Sequence, residues 1–299
     1  MNALDSLIAR MLPLVPKAFV WRIARRYVAG LELDDAAGVI GHLGERGLRA
    51  TMDILGENIT TPEETFLARD AYLRAIARIG AGGLPSGVSV KPSQMGIKID
   101  PELAFANLEA IAAASDTAGR FIRIDMEDSS TTGATLALYR RLLQGHRRIG
   151  IVLQAYLRRT VADARDLLPL SPDVRICKGI YREPPNLAYH GYGEIQKNFL
   201  EVLGVLLKGG AKVAVATHDP FLIDRGIHLC REIDGAGSRH EFQMLYGVGE
   251  KHWDRILQLG HRLRIYVPFG RHWYAYSIRR LRENPTIAGY VLQNLIRGR

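Results

Sequence analysis

The sequence has little of what secreted, membrane-spanning or disulfide-bonded proteins need. Its 299 residues include two cysteines, Cys177 and Cys230, in apolar surroundings without metal-ligand spacing, so we expect free thiols in a reducing compartment. No uninterrupted apolar run approaches the ~20 residues of a membrane span. The first residues lack the small-residue cleavage site that follows the apolar core of a signal peptide. We therefore expect a cytoplasmic protein.

Signatures of other function classes are also missing. The segment Gly80-Ala-Gly-Gly83 follows a helical stretch instead of a strand, which does not suit a dinucleotide-binding turn. His218 is the only histidine expected at a strand end, whereas a zinc site needs two or three, so we expect no metal. No helix-turn-helix, zinc-finger or aromatic RNA-binding signature accompanies the net charge of +9. Nucleic-acid binding is therefore disfavoured.

The positive charge is concentrated near both ends of the chain. Between Lys17 and Leu31, apolar residues recur at helical spacing with basic residues among them. This pattern is typical of a helix on an anionic membrane surface, and it also suits a helix packed on the domain. Both alternatives stay open from the sequence. The residues concerned are Phe19, Trp21, Arg22, Arg25, Arg26 and Tyr27.

Most of the chain alternates short β-rich runs with amphipathic helical stretches. After helical segments at about 2–28 and 34–46, eight such runs follow without a linker, which indicates parallel βαβ units. We predict an α/β fold, a (β/α)8 TIM-like barrel with some distortion, preceded by N-terminal helices. The predicted division is an N-terminal helical segment at 1–46 and a barrel catalytic domain at 47–299. The predicted strands are 49–54, 87–91, 121–126, 149–154, 174–178, 212–217, 241–245 and 263–267.

Polar residues follow the apolar part of nearly every predicted strand. Because the active sites of such barrels lie at the carboxyl ends of the strands, we expect these side chains to meet at one mouth. Asp125 and Arg175 are each embedded in apolar strand sequence, so we expect them to neutralise each other. Arg175 and Lys178 lie three residues apart, so their side chains are expected on opposite faces of a regular fifth strand; a bulge or local twist that redirects Arg175 is the alternative.

A polar stripe follows the eighth predicted strand. Tyr276, Arg279, Arg280 and Glu283 occupy positions i, i+3, i+4 and i+7 of a helix and therefore share one face. Paired guanidiniums bind a carboxylate or phosphate in a planar, bidentate way that lysine cannot match. The stripe therefore predicts an anion clamp, with a solvent-exposed basic face as the alternative.

A series of short motifs runs in order through the predicted barrel, from about residue 49 to 285. The motifs are Asp53-Ile-Leu-Gly-Glu57, Val90-Lys91, Arg123-Ile-Asp125-Met-Glu-Asp-Ser129, Gln154-Ala-Tyr-Leu157, Arg175-Ile-Cys-Lys178-Gly-Ile-Tyr-Arg-Glu183, Ala216-Thr-His218-Asp219, Phe242-Gln243-Met-Leu-Tyr-Gly247, Arg264-Ile-Tyr266-Val-Pro-Phe-Gly270 and Tyr276-x-x-Arg279-Arg280-x-x-Glu283. In this order they resemble the motifs of the proline dehydrogenase family, flavoenzymes, in its monofunctional bacterial type.

The resemblance implies oxidation of L-proline to Δ1-pyrroline-5-carboxylate with non-covalent FAD, and it assigns roles to residues. Catalytic roles fall to Asp125 and Arg175, which would lie near the flavin ring. The implied substrate-binding residues are Lys91, Leu245, Tyr266, Tyr276, Arg279, Arg280 and Glu283. The implied cofactor-binding residues are Met126, Gln154, Arg175, Cys177, Lys178, Gly179, Thr217, His218, Gln243 and Tyr266.

The resemblance also implies partners, and two alternatives to it remain. A quinone would accept the electrons, a pyrroline-5-carboxylate dehydrogenase would act downstream, and peripheral contact with an anionic membrane at the inner face of the cytoplasmic membrane would fit the basic helix.

The first alternative is a (β/α)8 Schiff-base lyase or aldolase, with Lys91 or Lys178 as nucleophile, acting on a phosphorylated or carboxylated substrate. The second is a basic barrel that binds a membrane surface or nucleic acid without catalysis.

Overall fold

A closed barrel of eight parallel strands forms the centre of the protein. The computed structural model describes residues 17–56, 59–235 and 239–283, with all side chains except those of residues 18, 19, 23 and 279–283. Each strand pairs with the next along the chain, and β8 pairs with β1 to close the barrel. The strands are β1 (Arg49–Ile54), β2 (Ser86–Val90), β3 (Ile122–Ile124), β4 (Ile149–Gln154), β5 (Asp173–Cys177), β6 (Lys212–Ala216), β7 (His240–Leu245) and β8 (Leu263–Phe269).

The strands have an apolar outer face and an unusually polar inner face. In β7, Phe242 and Met244 join the hydrophobic core between strands and helices, whereas Glu241 and Gln243 bond to other strands inside the barrel. Successive strand residues point to opposite sides, which produces this division. Branched aliphatic layers usually fill a TIM barrel. Here a polar network takes much of their place, so the interior connects directly to the cavity at its mouth.

Helices cover the outside of the barrel, and several begin at clear sequence signals. Thr61 caps the helix that starts at Pro62, through a capping box with Glu64. Asp100 and Asp219 cap the helices that start at Pro101 and Pro220, and each accepts a hydrogen bond from a backbone N–H group of its helix. The helices are α1 (Lys17–Ala24), α2 (Leu33–Glu45), α3 (Pro62–Ala81), α4 (Pro101–Thr117), α5 (Ser129–Leu142), α6 (Thr160–Leu167), α7 (Tyr192–Lys208), α8 (Pro220–Asp234), α9 (Trp253–Gln258) and α10 (Trp273–Glu283).

The ends of the described chain depart from the regular pattern. Helix α2 precedes β1, yet it packs across β1 and β8 with Ala36, Ile40 and Leu43 in the barrel core. Helix α10, which follows β8, instead packs against α1, where the rings of Trp21 and Trp273 lie 4.7 Å apart. The predicted distorted barrel with preceding helices is confirmed. The division at residue 46 stays a prediction.

The predicted element bounds differ from the observed ones mainly at strand ends. The strand predicted at 121–126 extends only from Ile122 to Ile124, so Asp125 lies just beyond it. Of the helix predicted at 2–28, residues 2–16 lie outside the described residues, and the described part is α1. Within the described residues, no helix is long and apolar enough to cross a membrane.

Candidate active site

A cavity of about 790 Å³ opens at the carboxyl ends of the strands. Its walls contain every site residue predicted from the sequence whose side chain is described. These residues are Lys91, Asp125, Met126, Gln154, Arg175, Cys177, Lys178, Gly179, Thr217, His218, Gln243, Leu245, Tyr266 and Tyr276. The other three, Arg279, Arg280 and Glu283, belong to α10, but their side chains lie outside the described residues.

Asp125 is the meeting point of several side chains at the base of the cavity. One of its oxygens accepts hydrogen bonds from Arg175 Nη1 at 2.9 Å and from the Ser89 hydroxyl at 2.6 Å. The other accepts from the Tyr266 hydroxyl at 3.2 Å. The expected neutralisation of Asp125 by Arg175 is therefore present. Burial raises the pKa of Tyr266 well above its ordinary value, and the nearby Asp125 adds to this effect, so the phenol keeps its proton.

Lys91 lies near the Asp125 oxygen that Arg175 does not bind, and it interacts with two carboxylates. Its ammonium group forms a hydrogen-bonded ion pair with Asp53 and lies 3.9 Å from the second oxygen of Asp125. Burial alone would lower the pKa of Lys91, but the negative charges of Asp53 and Asp125 outweigh burial and raise it. The lysine is therefore a cation at neutral pH. That charge state is what an anion-binding lysine needs, and it opposes a role as a free-amine nucleophile.

Arg175 is also connected to the interior of the barrel below the cavity. Its Nε donates to Gln243 Oε1 at 2.6 Å, and Gln243 Nε2 donates to Glu241 Oε1 at 2.7 Å. Arg264 in turn donates to both oxygens of Glu241, at 2.6 and 3.0 Å. Burial would raise the pKa of Glu241, but Arg264 lowers it to about 2. A continuous hydrogen-bonded chain therefore runs from β8 to the guanidinium of Arg175.

Lys178 forms a second polar group at the rim of the cavity. Its Nζ lies 3.5 Å from Asp219 Oδ2 and 4.5 Å from the centre of the Tyr192 ring. The Tyr192 hydroxyl donates to the same carboxylate, and Gln196 donates to it at 3.0 Å. Burial would raise the pKa of Asp219, but these hydrogen bonds and Lys178 lower it. The rim therefore presents a lysine held between a carboxylate and an aromatic ring.

The prediction that Arg175 and Lys178 face opposite sides was wrong. Strand β5 ends at Cys177, so Lys178 lies beyond the strand, where alternation no longer applies. Gly179 has a positive φ of 98°, and this turn lets both cations line one cavity.

Some polar atoms of the cavity wall have no hydrogen-bond partner within the described part of the chain. They are Arg175 Nη2, Gln154 Oε1 and Asp53 Oδ2, all buried. A buried polar atom without a partner costs free energy. Unused donors and acceptors on the wall of a large cavity therefore favour a polar ligand that satisfies them.

The sequence analysis gave no role to three residues that shape the site. Asp53 is buried and pairs with Lys91, and Glu127 accepts from the backbone and side chain of Ser93 at 2.7 and 2.6 Å, fixing the loop after β2. Tyr192 stacks on Lys178. Asp53 carries the signal that identified Asp125, an acid embedded in apolar strand sequence. Tyr192 begins a helix and carries no comparable signal.

Comparison with known proteins shows which family the chain belongs to. The sequence model of the family described as proline dehydrogenase matches residues 36–183 and 185–293. The chain is 35% identical over 282 residues to proline dehydrogenase 1 of Bacillus subtilis (strain 168), covering 94% of this chain and 93% of the relative. It is 34% identical over 284 residues to proline dehydrogenase of Deinococcus radiodurans, covering 93% and 92%. The chain belongs to the proline dehydrogenase family.

Solved structures similar to this proline dehydrogenase family member share its fold. Proline utilization A (PutA) from Bdellovibrio bacteriovorus, inactivated by N-propargylglycine, superposes with a TM-score of 0.82 at 24% identity over 88% of this chain. PutA from Bradyrhizobium japonicum, as the mutant D778Y, gives 0.74 at 22% identity. The chain spans only 33% and 31% of those two proteins.

Membership of the proline dehydrogenase family bears on the alternatives left open by the sequence. It supports an oxidoreductase of proline catabolism, and it does not favour a Schiff-base lyase or aldolase. Members of the family are generally FAD-dependent.

Proposed function

We propose that the chain oxidises L-proline to Δ1-pyrroline-5-carboxylate with a non-covalently bound FAD. The observation that carries this proposal is the joint presence of Lys91, Arg175 and Lys178 with Tyr266 and Tyr276 around one cavity at the carboxyl ends of the strands. The cations suit an anionic substrate and a polyanionic cofactor, and the phenol rings suit a small apolar ring. Family membership supplies the reaction type.

The cofactor proposal is supported by the chemistry of the cavity wall. Arg175 Nη2 is a buried donor and Gln154 Oε1 a buried acceptor, both without partners in the described part of the chain, and an isoalloxazine ring has edge groups of both kinds. The half-exposed Lys178 at the rim suits the cofactor's phosphates. The residues proposed to hold FAD are Met126, Gln154, Arg175, Cys177, Lys178, Gly179, Thr217, His218, Gln243 and Tyr266.

We assign substrate binding to residues that a carboxylate and a pyrrolidine ring need. Lys91 presents a cation at the cavity. Positions 279 and 280 follow Tyr276 by three and four residues, so they share its helical face, and Tyr276 lines the cavity. The proposed clamp for the proline carboxylate is therefore Lys91, Arg279 and Arg280. Tyr266, Tyr276 and Leu245 would enclose the ring, with Glu283 in the same helical stripe.

The proposed catalytic roles of Asp125 and Arg175 rest on position and charge. A bound flavin supplies the acceptor for a hydride from proline Cδ. The protein holds the reacting C–H in place, which is an orientation effect. Arg175 lines the cavity and would place a positive charge beside the bound flavin, where it would favour the reduced, anionic form. Asp125 holds that guanidinium, the Tyr266 hydroxyl and the Lys91 ammonium group in one arrangement.

We further propose that a quinone accepts the electrons and that the enzyme is cytoplasmic with peripheral contact at an anionic membrane. Arg22, Arg25 and Arg26 are exposed, and their charge supports attraction to such a surface. The apolar side of α1 supports the alternative of packing on the domain, because Val20 and Ala24 are buried and Trp21 stacks on Trp273. A pyrroline-5-carboxylate dehydrogenase is the proposed downstream partner. A relative is named bifunctional protein PutA.

The visible absorption spectrum of the purified protein tests the central proposal. We expect a flavin spectrum that proline bleaches under anaerobic conditions, and acid precipitation should release all the colour into the supernatant. Colour that stays with the precipitated polypeptide would contradict non-covalent binding. A colourless protein that borohydride inactivates in the presence of substrate would instead indicate the Schiff-base enzyme.

A further inference from the structure

The Glu241–Arg264 ion pair lies inside the barrel and is not among the residues that line the cavity. It is nevertheless joined to the cavity through Gln243 and Arg175. We propose that this pair is a positioning device: it fixes the amide of Gln243, which fixes the guanidinium of Arg175 against the bound cofactor. The part about the cofactor rests on the proposed function, whereas the part about Arg175 concerns the protein alone.

The first step of the argument is the amide of Gln243. Its oxygen accepts from Arg175 Nε at 2.6 Å, and its nitrogen donates to Glu241 at 2.7 Å. A guanidinium only donates and a carboxylate only accepts. Exchanging the amide ends would therefore place donor against donor and acceptor against acceptor. Arg175 and Glu241 thus fix the orientation of the amide from both sides, and Glu241 holds the amide in place through its nitrogen.

The second step is the anchoring of Glu241 itself. Arg264 binds both of its oxygens, at 2.6 and 3.0 Å, in the two-bond geometry that orients a carboxylate best. Arg264 Nη1 also donates to the backbone oxygen of Ala50 on β1 at 2.9 Å. The carboxylate is therefore tied to the wall of the barrel and cannot turn with the side chain it orients.

The third step is what Arg175 would do without this anchor. Its Nη1 contacts Asp125 and Ser89, and its Nη2 has no hydrogen-bond partner in the described part of the chain. Two further contacts restrain the guanidinium: its packing over the Tyr266 ring, 5.3 Å from the ring centre, and the bond from Nε to Gln243, which is the directional one and fixes its rotation in its own plane. The orientation of Nη2 in the cavity wall therefore depends on Gln243. Glu241 and Arg264 act on it without contacting substrate or cofactor.

A matched control exists in the same interior. Arg123 on β3 binds Asp173 on β5 at 2.6 Å. Its charge acts on Glu241 and Arg175, but none of the hydrogen bonds of this pair within the described residues reaches Gln243 or Arg175, so the control separates an effect of charge from an effect of hydrogen-bonded positioning. Replacing a buried ion pair by apolar residues of similar volume is often neutral for stability. The variant Glu241→Leu/Arg264→Met and its control Arg123→Met/Asp173→Leu each remove one interior pair without changing net charge.

The experiment measures two properties of the holoenzyme. Hydrogen exchange at Arg175 Nε is followed by NMR with 15N-labelled arginine, the signal being assigned by its loss in Arg175→Lys. We expect exchange at least tenfold faster in Glu241→Leu/Arg264→Met and within twofold of wild type in the control. The equilibrium constant for flavin reduction should fall about tenfold in the first variant only, a decrease of about 30 mV for a two-electron couple.

Wild-type values of both properties in Glu241→Leu/Arg264→Met would overturn the proposal, and so would equal changes in the control. If that variant does not fold, Glu241→Asp replaces it, because it keeps the charge and shortens the reach to Gln243. Faster exchange with a lowered potential in Glu241→Asp supports positioning, and unchanged values overturn it. A wild-type protein without flavin would defeat the proposed function, while the exchange measurement would still decide whether the pair orients Arg175.

Discussion

Replacing Asp53 by asparagine should show how strongly the buried acid stabilises Lys91. Asp53 is 1% exposed, and Lys91, its ion-pair partner, is 17% exposed. Removing one partner of a buried ion pair costs about 3–5 kcal/mol, because it leaves a charge uncompensated. Here Asp125 remains 3.9 Å from the ammonium group. At that separation it still attracts Lys91 by about 4 kcal/mol at an effective dielectric constant of 20. Burial also raises the pKa of Asp53 in spite of Lys91, so the ionised acid carries a desolvation cost that asparagine avoids. These two effects place the expected loss at the lower limit, about 3 kcal/mol.

The sign of the pH effect follows from the raised pKa of Lys91. A raised folded-state pKa contributes stability that is complete below the unfolded value and is lost as the pH rises through the folded value. Asp53→Asn removes one cause of that rise, so the pKa of Lys91 should fall. Both stability and proline binding should then decline at a lower alkaline pH than in wild type.

Thermal unfolding followed by circular dichroism measures the first effect. A loss of about 3 kcal/mol corresponds to a decrease in Tm of about 5 °C for a chain of this size. The matched control is Asp70→Asn, which breaks a 2.8 Å ion pair with Arg69 at a carboxylate that is 45% exposed. Such surface pairs contribute about 0–1 kcal/mol. Equal Tm values for the two variants, or an unchanged alkaline limit for proline binding in Asp53→Asn, would refute the reasoning.

Three further predictions follow from the site and the surface. Arg279→Met and Arg280→Met should each raise the KM for proline while flavin stays bound, at a cost on the order of 2–5 kcal/mol; an unchanged KM removes that arginine from the clamp. Burial would raise the pKa of Glu241, but Arg264 lowers it to about 2. Ionisation of Glu241 should therefore contribute about 3 kcal/mol of pH-dependent stability, complete above pH ~4.5 and lost as the pH falls to about 2. Acid unfolding of Glu241→Leu/Arg264→Met should accordingly be less steep than that of wild type. Co-sedimentation with anionic liposomes should be weak, should decrease with salt and should decrease further in Arg22→Glu. Equal binding of wild type and Arg22→Glu would leave α1 with a packing role only. The enzyme should turn over with a soluble quinone as electron acceptor but not with NAD.

The barrel and the place of the site were predictable because their signals are local. A short β-rich run followed by a helix of period 3.6 identifies each unit without knowledge of the rest of the chain. Polar residues at strand ends then meet because parallel strands end on one side of a barrel. Asp125 and Arg175 were found in this way. Asp53 gave the same local signal, a single acid in the strand Arg49–Ile54, and was left without a role.

The interior ion pairs were not predictable, because they depend on the register between strands. Gln243 is the register partner of Arg264, yet Arg264 binds Glu241, two residues earlier. Sequence alone does not say which diagonal neighbour a long side chain reaches. The opposite-face prediction for Lys178 failed for a similar reason, since the end of β5 decides whether alternation applies.

The packing of α2 has a consequence for how the protein is made. The helix is synthesised long before β8 (Leu263–Phe269), one of the two strands that cover it. Part of the apolar surface formed by Ala36, Ile40 and Leu43 therefore stays uncovered until the barrel closes. Contacts between distant parts of a chain slow folding and leave apolar surface open to aggregation. The apolar face of α2 should consequently be accessible to chaperones for as long as β8 has not been synthesised.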